Sequence, residues 1–262
     1  MGKIIAVANQ KGGVGKTTTC INLAAYLAFD RLKVLVVDMD PQGNATSGLG
    51  ASKGDDTVSI YDIITGDEDI RDNEIFQDTS IPTLKVLGTN IDLAGAEVEL
   101  VQLDTRREFV VKDALEKIKD EWDYIFIDCP PSLGLLTINA LTAADEIIVP
   151  IQCEFFALEG LTQLMNTVRL IRKHGFNPNL NIAGVLLTLC DSRSKLAQQV
   201  AEEVRKYFGD KVFDVTIPRN VKLAEAPSHG EPIVNYERRC TGARAYYHLK
   251  EEFKQRQNGG KK

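Results

Sequence analysis

Apolar positions along the chain fall into short runs separated by longer stretches of helical period. Residues 4–8, 34–37, 124–127 and 146–151 are runs dominated by Ile, Val, Leu, Ala and Phe. Runs this short and this apolar suit strands covered on both faces, and helical patterns follow the first, third and fourth of them. A polar loop follows 34–37. Further strands are predicted at 182–189 and 212–217, and helices from residue 17 and over 158–173, 195–208 and 241–255. The alternation predicts an α/β fold, a single domain over 1–256 built on a mostly parallel, twisted sheet with helices on both faces. Residues 257–262 read as a frayed tail. The acidic stretch 51–84 is the least regular, with one short helix at 59–64, and is expected to pack along an edge.

Composition narrows the classes without choosing among them. The 262 residues are 44% hydrophobic and 26% charged, ordinary for a water-soluble globular chain. No segment approaches the roughly 18 uncharged apolar residues of a membrane span, and the chain runs from Met1-Gly2-Lys3 into the first apolar run without a cleavable signal pattern. A cytoplasmic location is expected. The five cysteines are odd in number, widely spaced and without C-x-x-C, which favours free thiols over a disulfide framework or zinc site. His174, His229 and His248 are scattered, so any metal should be held by oxygen. Net charge is −6, but residues 1–150 carry 13 Lys and Arg against 25 Asp and Glu, and residues 151–262 carry 18 against 12. The basic charge lies in the C-terminal half.

Lys11-Gly12-Gly13-Val14-Gly15-Lys16-Thr17-Thr18 stands between the first strand and the first helix. Glycines there let backbone N–H groups face phosphate oxygens, and the helix start adds its positive dipole end. Lys16 can reach the β- and γ-phosphates, and the Thr17 hydroxyl can ligate Mg²⁺. The common form G-x-x-x-x-G-K-[ST] would have glycine at position 10, where this chain has Gln10 followed by Lys11. The loop instead resembles the deviant box K-G-G-x-G-K-[ST] of the MinD/ParA/nitrogenase-iron-protein class of P-loop ATPases. That resemblance implies a dimer in which Lys11 crosses the interface to the partner's nucleotide. On the residues alone, a solvated loop lysine stays open.

Two acidic stations accompany the loop. Asp38 and Asp40 follow the run 34–37, at the end of a buried strand where ligands of open α/β sheets collect. The resemblance implies that Asp40 positions the attacking water and that Asp38 supports the magnesium; a turn cap and a solvated residue before Pro41 are the plain alternatives. Asp128 ends the run 124–127 in the Walker B manner and should hold Mg²⁺ through water. Cys129 follows it. An iron–sulfur cluster between subunits would need a second cysteine near the switch, so a small buried thiol is the better reading.

The likeness extends over most of the chain. Residues 36–50, Asp128-Cys129-Pro130-Pro131-Ser132-Leu133-Gly134, Pro150-Ile151-Gln152-Cys153-Glu154 with Ala157-Leu158-Glu159-Gly160, and 217–223 with Glu225-Ala226-Pro227-Ser228-His229-Gly230 resemble the ParA/Soj partition ATPases, in the short form without a helix-turn-helix domain. The resemblance implies slow ATP hydrolysis, an ATP-bound homodimer, non-specific double-stranded DNA binding on the nucleoid, and stimulation by a ParB/Spo-type partner. Pro218 and Asn220 would contact the nucleotide base, or else form only a rigid turn. Arg193, Lys195 and Lys222 match DNA-contacting positions, with Arg172, Lys173, Arg205, Lys206, Arg238 and Arg239 as weaker candidates. Any one of them could be a solvated surface charge. A MinD-type membrane switch would end in a basic amphipathic helix, whereas 246–254 contains Glu251 and Glu252 and is expected to dock on the domain. A metal-carrier ATPase would need paired cysteines.

Overall fold

The computed structural model describes residues 2–54, 56–154, 157–191 and 193–259. In chain order the elements are β1 (Lys3–Val7), α1 (Lys16–Phe29), β2 (Val34–Asp38), α2 (Asn44–Gly48), α3 (Ile60–Thr65), β3 (Gln77–Asp78), β4 (Leu84–Leu87), α4 (Ala96–Gln102), α5 (Val110–Leu115) and β5 (Tyr124–Asp128). They continue with α6 (Leu135–Ala143), β6 (Glu146–Gln152), α7 (Ala157–Lys173), β7 (Asn181–Cys190), α8 (Lys195–Phe208), β8 (Val212–Pro218), α9 (Val221–Glu225), α10 (Ile233–Tyr236) and α11 (Thr241–Gln257). The strands form one sheet in the order β3-β4-β2-β5-β1-β6-β7-β8. Every pairing is parallel except that of β3 with β4.

Alternation along the central strands explains the two helical layers. Ile4 and Ala6 of β1, Leu35 and Val37 of β2, and Ile125 and Ile127 of β5 face one core, closed by α3 to α8. Ile5 and Val7, Val34 and Val36, and Phe126 face the other, closed by α1, α10 and α11. A strand apolar at every position has no solvent side, so both faces must be covered. Burying one such large side chain is worth about 1.5–3 kcal/mol.

Where the structure departs from the sequence expectation, the elements are short or charged. The stretch 51–84 does reach a sheet edge, but it leads into β4, which pairs with β2, and β3 is the edge strand. Lys85 interrupts β4 and is paired with Asp78 at 2.6 Å, which breaks the apolar run. The short helix is α3, with Ser59 as its cap: the Ser59 hydroxyl accepts from the Tyr61 N–H at 3.2 Å, and the Asp62 carboxylate accepts from the Ser59 N–H at 2.7 Å. α11 runs on to Gln257, the first residue of the expected tail, because the Gln257 amide donates to Glu146 at 2.6 Å and its carbonyl accepts from Lys3. Residues 260–262 lie outside the described residues. Tyr246, Leu249 and Phe253 put the apolar face of α11 inside the core.

Candidate nucleotide site

Parallel pairing brings the ends of β1, β2 and β5 to one place. Asp38 stands in register with Asp128, and Asp128 with Val7, so the segments leaving all three strands begin side by side. The segment after β1 is the glycine loop. Gly13 and Gly15 have φ of 74° and 82°, a left-handed backbone that suits glycine, and a Cβ on Gly13 would meet nothing within 4 Å. The loop is braced from behind: the Thr188 hydroxyl donates to the Val14 carbonyl at 2.8 Å, and Asn9 joins the Lys11 N–H to the Pro150 carbonyl. α1 starts at Lys16, one residue earlier than expected, and Gly15 provides no side-chain cap, which leaves its first N–H groups facing the cleft.

The two lysines of the loop point to different places. Lys16 is buried, its Nζ donating to the Lys11 carbonyl at 3.3 Å. Burial lowers its pKa, against the charges of Asp128, Cys129 and Asp40. Lys11 turns outward, and its Nζ is 2.9 Å from Glu154, which also receives a hydrogen bond from Gln152.

The carboxylates also differ. Asp38 is wholly buried and engaged: one oxygen accepts from both the N–H and the hydroxyl of Thr46 at 2.7 Å, the other from the Asp40 N–H at 3.2 Å. Burial pushes its pKa up to about 6 despite those hydrogen bonds, and the Asp40 charge adds to the rise. Asp38 thereby pins the start of α2 to the end of β2. Asp40 lines the cleft and closes a turn by accepting from the Gln42 N–H at 3.0 Å. Asp128 is wholly buried, and among the described residues neither of its oxygens has a full hydrogen bond. Burial and then the Asp38 charge push its pKa well up; the Thr17 hydroxyl and Lys16 act in the other direction, the hydroxyl at less than full hydrogen-bond geometry. A carboxylate this costly to bury calls for a cation or an ordered water. The orphaned carboxylate beside Thr17 fits a hydrated divalent metal on a phosphate.

A cavity of about 630 Å³ is lined by Lys16, Thr17 and Asp40, with Lys11, Asp38 and Asp128 outside its lining. Residues of the loop between Gly12 and Thr18 line it, together with Asp40, Gln42, Asn44 and Ser47 and with a wall of Leu189, Leu223, Ala224, Pro227 and Ser228. Pro218 and Asn220 do not line it. Pro218 lines a neighbouring cavity, while Asn220 caps α9, its side chain accepting from the Leu223 N–H at 3.3 Å and donating to Thr241 at 2.8 Å. Asn220 therefore sets the position of the Leu223–Ser228 wall. Sequence reasoning assigned no role to that wall or to Asn44 and Ser47, although the Glu225-Ala226-Pro227-Ser228 segment had matched a partition pattern.

Arg193 and Lys195 follow β7 and Lys222 follows its neighbour β8, and all three are exposed. Arg193 is paired with Asp191 at 3.3 Å, and Lys222 with Glu225 at 2.7 Å. Of the weaker candidates, Arg172 is spent on the Leu180 carbonyl, its Nε at 2.8 Å, and the Arg238 guanidinium sits 5.1 Å from the Phe29 ring centroid.

Residues 2–182 match a family model described as an AAA domain. Over 252 residues, 96% of this chain and 98% of the relative, the sequence is 58% identical to the sporulation initiation inhibitor protein Soj of Bacillus subtilis. It is 53% identical over 256 residues to the chromosome partitioning protein ParA of Myxococcus xanthus, covering 98% of this chain and 89% of that one. This chain belongs to the ParA/Soj family. It is a chromosome-partitioning ATPase of that family, with the α/β P-loop fold that its sequence predicted. Among solved structures, the ParA/Soj chain is similar to a cobyrinic acid a,c-diamide synthase from Mycobacterium smegmatis with bound ADP and magnesium. The TM-score is 0.85 at 37% identity, over 100% of this chain and 98% of that one. It is also similar to the cell division ATPase MinD of Pyrococcus furiosus, with TM-score 0.78 at 28% identity over 97% and 99% of the two chains. No helix among the described residues is long and apolar enough to cross a membrane.

Proposed function

We propose that this partitioning ATPase is an ATP-gated, DNA-binding dimer. The observation that carries the reading is Asp128: a buried carboxylate with no full hydrogen bond among the described residues, beside Thr17 and in register with Asp38, at the end of the strand next to the phosphate loop. Magnesium, as in the relative solved with ADP and magnesium, would be held by Thr17 and by Asp128 through water, and would neutralise charge on the phosphates. The backbone N–H groups of residues 12–18 hold the phosphate oxygens, and Lys16 leaves the Lys11 carbonyl for the β- and γ-phosphates. Asp38 keeps the 38–48 segment in place, so its support of the metal is indirect. Asp40, on the same segment, orients the attacking water. Pro218 and Asn220 act on the base side by fixing α9 and the wall that follows it.

Lys11 supplies the link to assembly. It faces away from its own cavity and is held by Glu154, so a second chain offering a phosphate can draw it across the interface. Closing two chains doubles the basic surface of Arg193, Lys195 and Lys222. DNA binding then becomes nucleotide-dependent, indifferent to sequence and steeply salt-sensitive. A ParB-like partner accelerates hydrolysis and release, and the dimer resides on the nucleoid.

The test is a DNA-binding titration with ADP or ATP on wild type, Lys16→Ala, Asp40→Ala and Arg193→Ala/Lys222→Ala. Wild type should bind only with ATP, Asp40→Ala should bind best, and the other two variants should bind weakly. Binding that ignores nucleotide, or that needs a particular sequence, overturns the reading.

A further inference from the structure

Behind the nucleotide cavity, two thiols meet. The Sγ atoms of Cys153, just past β6, and Cys190, at the end of β7, are 2.8 Å apart. Their strands are paired in parallel up to Gln152 and Thr188. Strand alternation would put Cys190 on the same face as Leu186 and Thr188. Leu189 prevents this: its φ is +51°, a left-handed conformation that costs a branched residue about 1–2 kcal/mol. The kink turns Cys190 to the opposite core, against Cys153, whereas Leu186 stays on the face of α1. The strained residue thus creates the thiol pair.

The same three residues reach the nucleotide. Thr188 holds the Val14 carbonyl of the phosphate loop, Leu189 lines the nucleotide cavity, and Cys190 meets Cys153. On their other side the thiols line a separate open cavity of about 770 Å³, which gives small solutes access. The remaining cysteines have no such arrangement: Cys20 and Cys129 are buried and Cys240 caps α11 with its sulfur.

We propose that Cys153 and Cys190 form a reversible disulfide whose closure shifts the Thr188–Leu189 brace and weakens nucleotide binding. The sulfurs need approach by less than about 1 Å to reach the bonded distance of about 2.05 Å. The oxidant is a hydroperoxide. The Cys153 thiolate attacks a peroxide oxygen, forming an S–O bond as the O–O bond breaks and, with hydrogen peroxide, a first water leaves. The Cys190 sulfur then attacks the Cys153 sulfur, the S–S bond forms, the S–O bond breaks and a second water departs. Two electrons pass from the thiols to the peroxide, and both thiol protons end in water. Either thiol can donate in the contact between them, and Arg205 stands near both sulfurs, where its charge favours the thiolate that makes the first attack. In a reducing compartment such a pair acts as a sensor, not as a permanent staple.

The effect on nucleotide rests on the function proposed above, while the bond itself does not, and the test separates them. Whole protein, wild type, Cys153→Ser and Cys190→Ser, is treated with hydrogen peroxide, mapped by mass spectrometry without reduction, and titrated with a fluorescent ATP analogue. In wild type one cross-linked peptide pair, lighter by two hydrogens and cleared by dithiothreitol, should contain Cys153 and Cys190, with Cys20 and Cys129 still free. Analogue affinity should fall about three- to tenfold on oxidation and recover on reduction, while neither serine variant responds. Independent over-oxidation of the two thiols, with no linked pair, overturns the disulfide. A linked pair with unchanged affinity overturns the coupling. Reduced wild type that binds no analogue overturns the nucleotide reading and leaves the bond to stand on the map.

Discussion

Lys250, at the seam between α1 and α11, and Asp128, at the end of β5, are both buried charges, 3% and 0% exposed. Lys250 is satisfied within the chain: it pairs with Asp30 at 3.0 Å and with Glu251, lies 4.6 Å from the Tyr247 ring centroid, and shares Asp30 with Lys254 at 2.8 Å. The same seam carries Thr19 against the Tyr246 hydroxyl at 3.1 Å and the Tyr26 hydroxyl donating to the Ala243 carbonyl at 2.8 Å. Asp128 has no full hydrogen bond to either oxygen among the described residues. Equal burial with opposite satisfaction separates a seam built for stability from a site that stores an unmet demand for a ligand. The folded state tolerates that demand because the surrounding core is large.

Substitutions in the two places should therefore fail differently. The largest effect belongs to the cleft: Asp40→Ala should lower ATP turnover at least about 100-fold with nucleotide affinity little changed. Turnover that persists, measured as phosphate release against analogue binding, removes Asp40 from the chemistry. At the seam, Lys250→Ala should cost about 1–2 kcal/mol in a denaturant melt by leaving Asp30 with Lys254 alone and opening a gap beside Tyr247, with turnover per folded molecule unchanged. A loss of turnover there would erase the contrast.

Asp128→Asn should do the reverse of a core mutation. Removing an uncompensated buried charge should stabilise the metal-free protein by about 1–2 kcal/mol, while abolishing the rise in melting temperature that magnesium with ATP gives wild type. A destabilised metal-free variant would show that Asp128 is satisfied after all. The smallest effect is in pH. Asp38 is raised from 3.8 to about 6 in the fold, so its protonation favours the folded state. That stability is fully present below about 4, is lost as pH rises to about 6, and does not change beyond. Metal-free melts of wild type and Asp38→Asn from acid to neutral pH should diverge over that window; parallel curves would count against the shift.

The glycine loop between β1 and α1 was legible because its parts are contiguous. Glycines, Lys16 and the helix start stand within a few residues of each other, and the apolar run before them admits one reading. The central strands were legible for a related reason: a strand buried on both faces has no polar positions to blur it. β4 was not, being four residues long with Lys85 inside it. Nor were α4 and α5, where Glu97, Glu99 and Asp113 dilute short apolar faces. The place of Asp38 was hidden because its partner, Thr46, lies in α2, a helix of five residues that leaves almost no periodic signal.

By itself, the sequence determined the fold class, the family and the glycine loop between the first strand and the first helix, since each depends on local spacing and on patterns that repeat along the chain. Tertiary structure alone decided which carboxylate is free and which is spent, where Lys11 points, which wall faces the cavity, and that Cys153 lies against Cys190. Those outcomes depend on contacts such as Asp38 with Thr46 and Lys11 with Glu154, 8 and 143 positions apart. They are set by strand register and by one left-handed residue, and no local pattern encodes either.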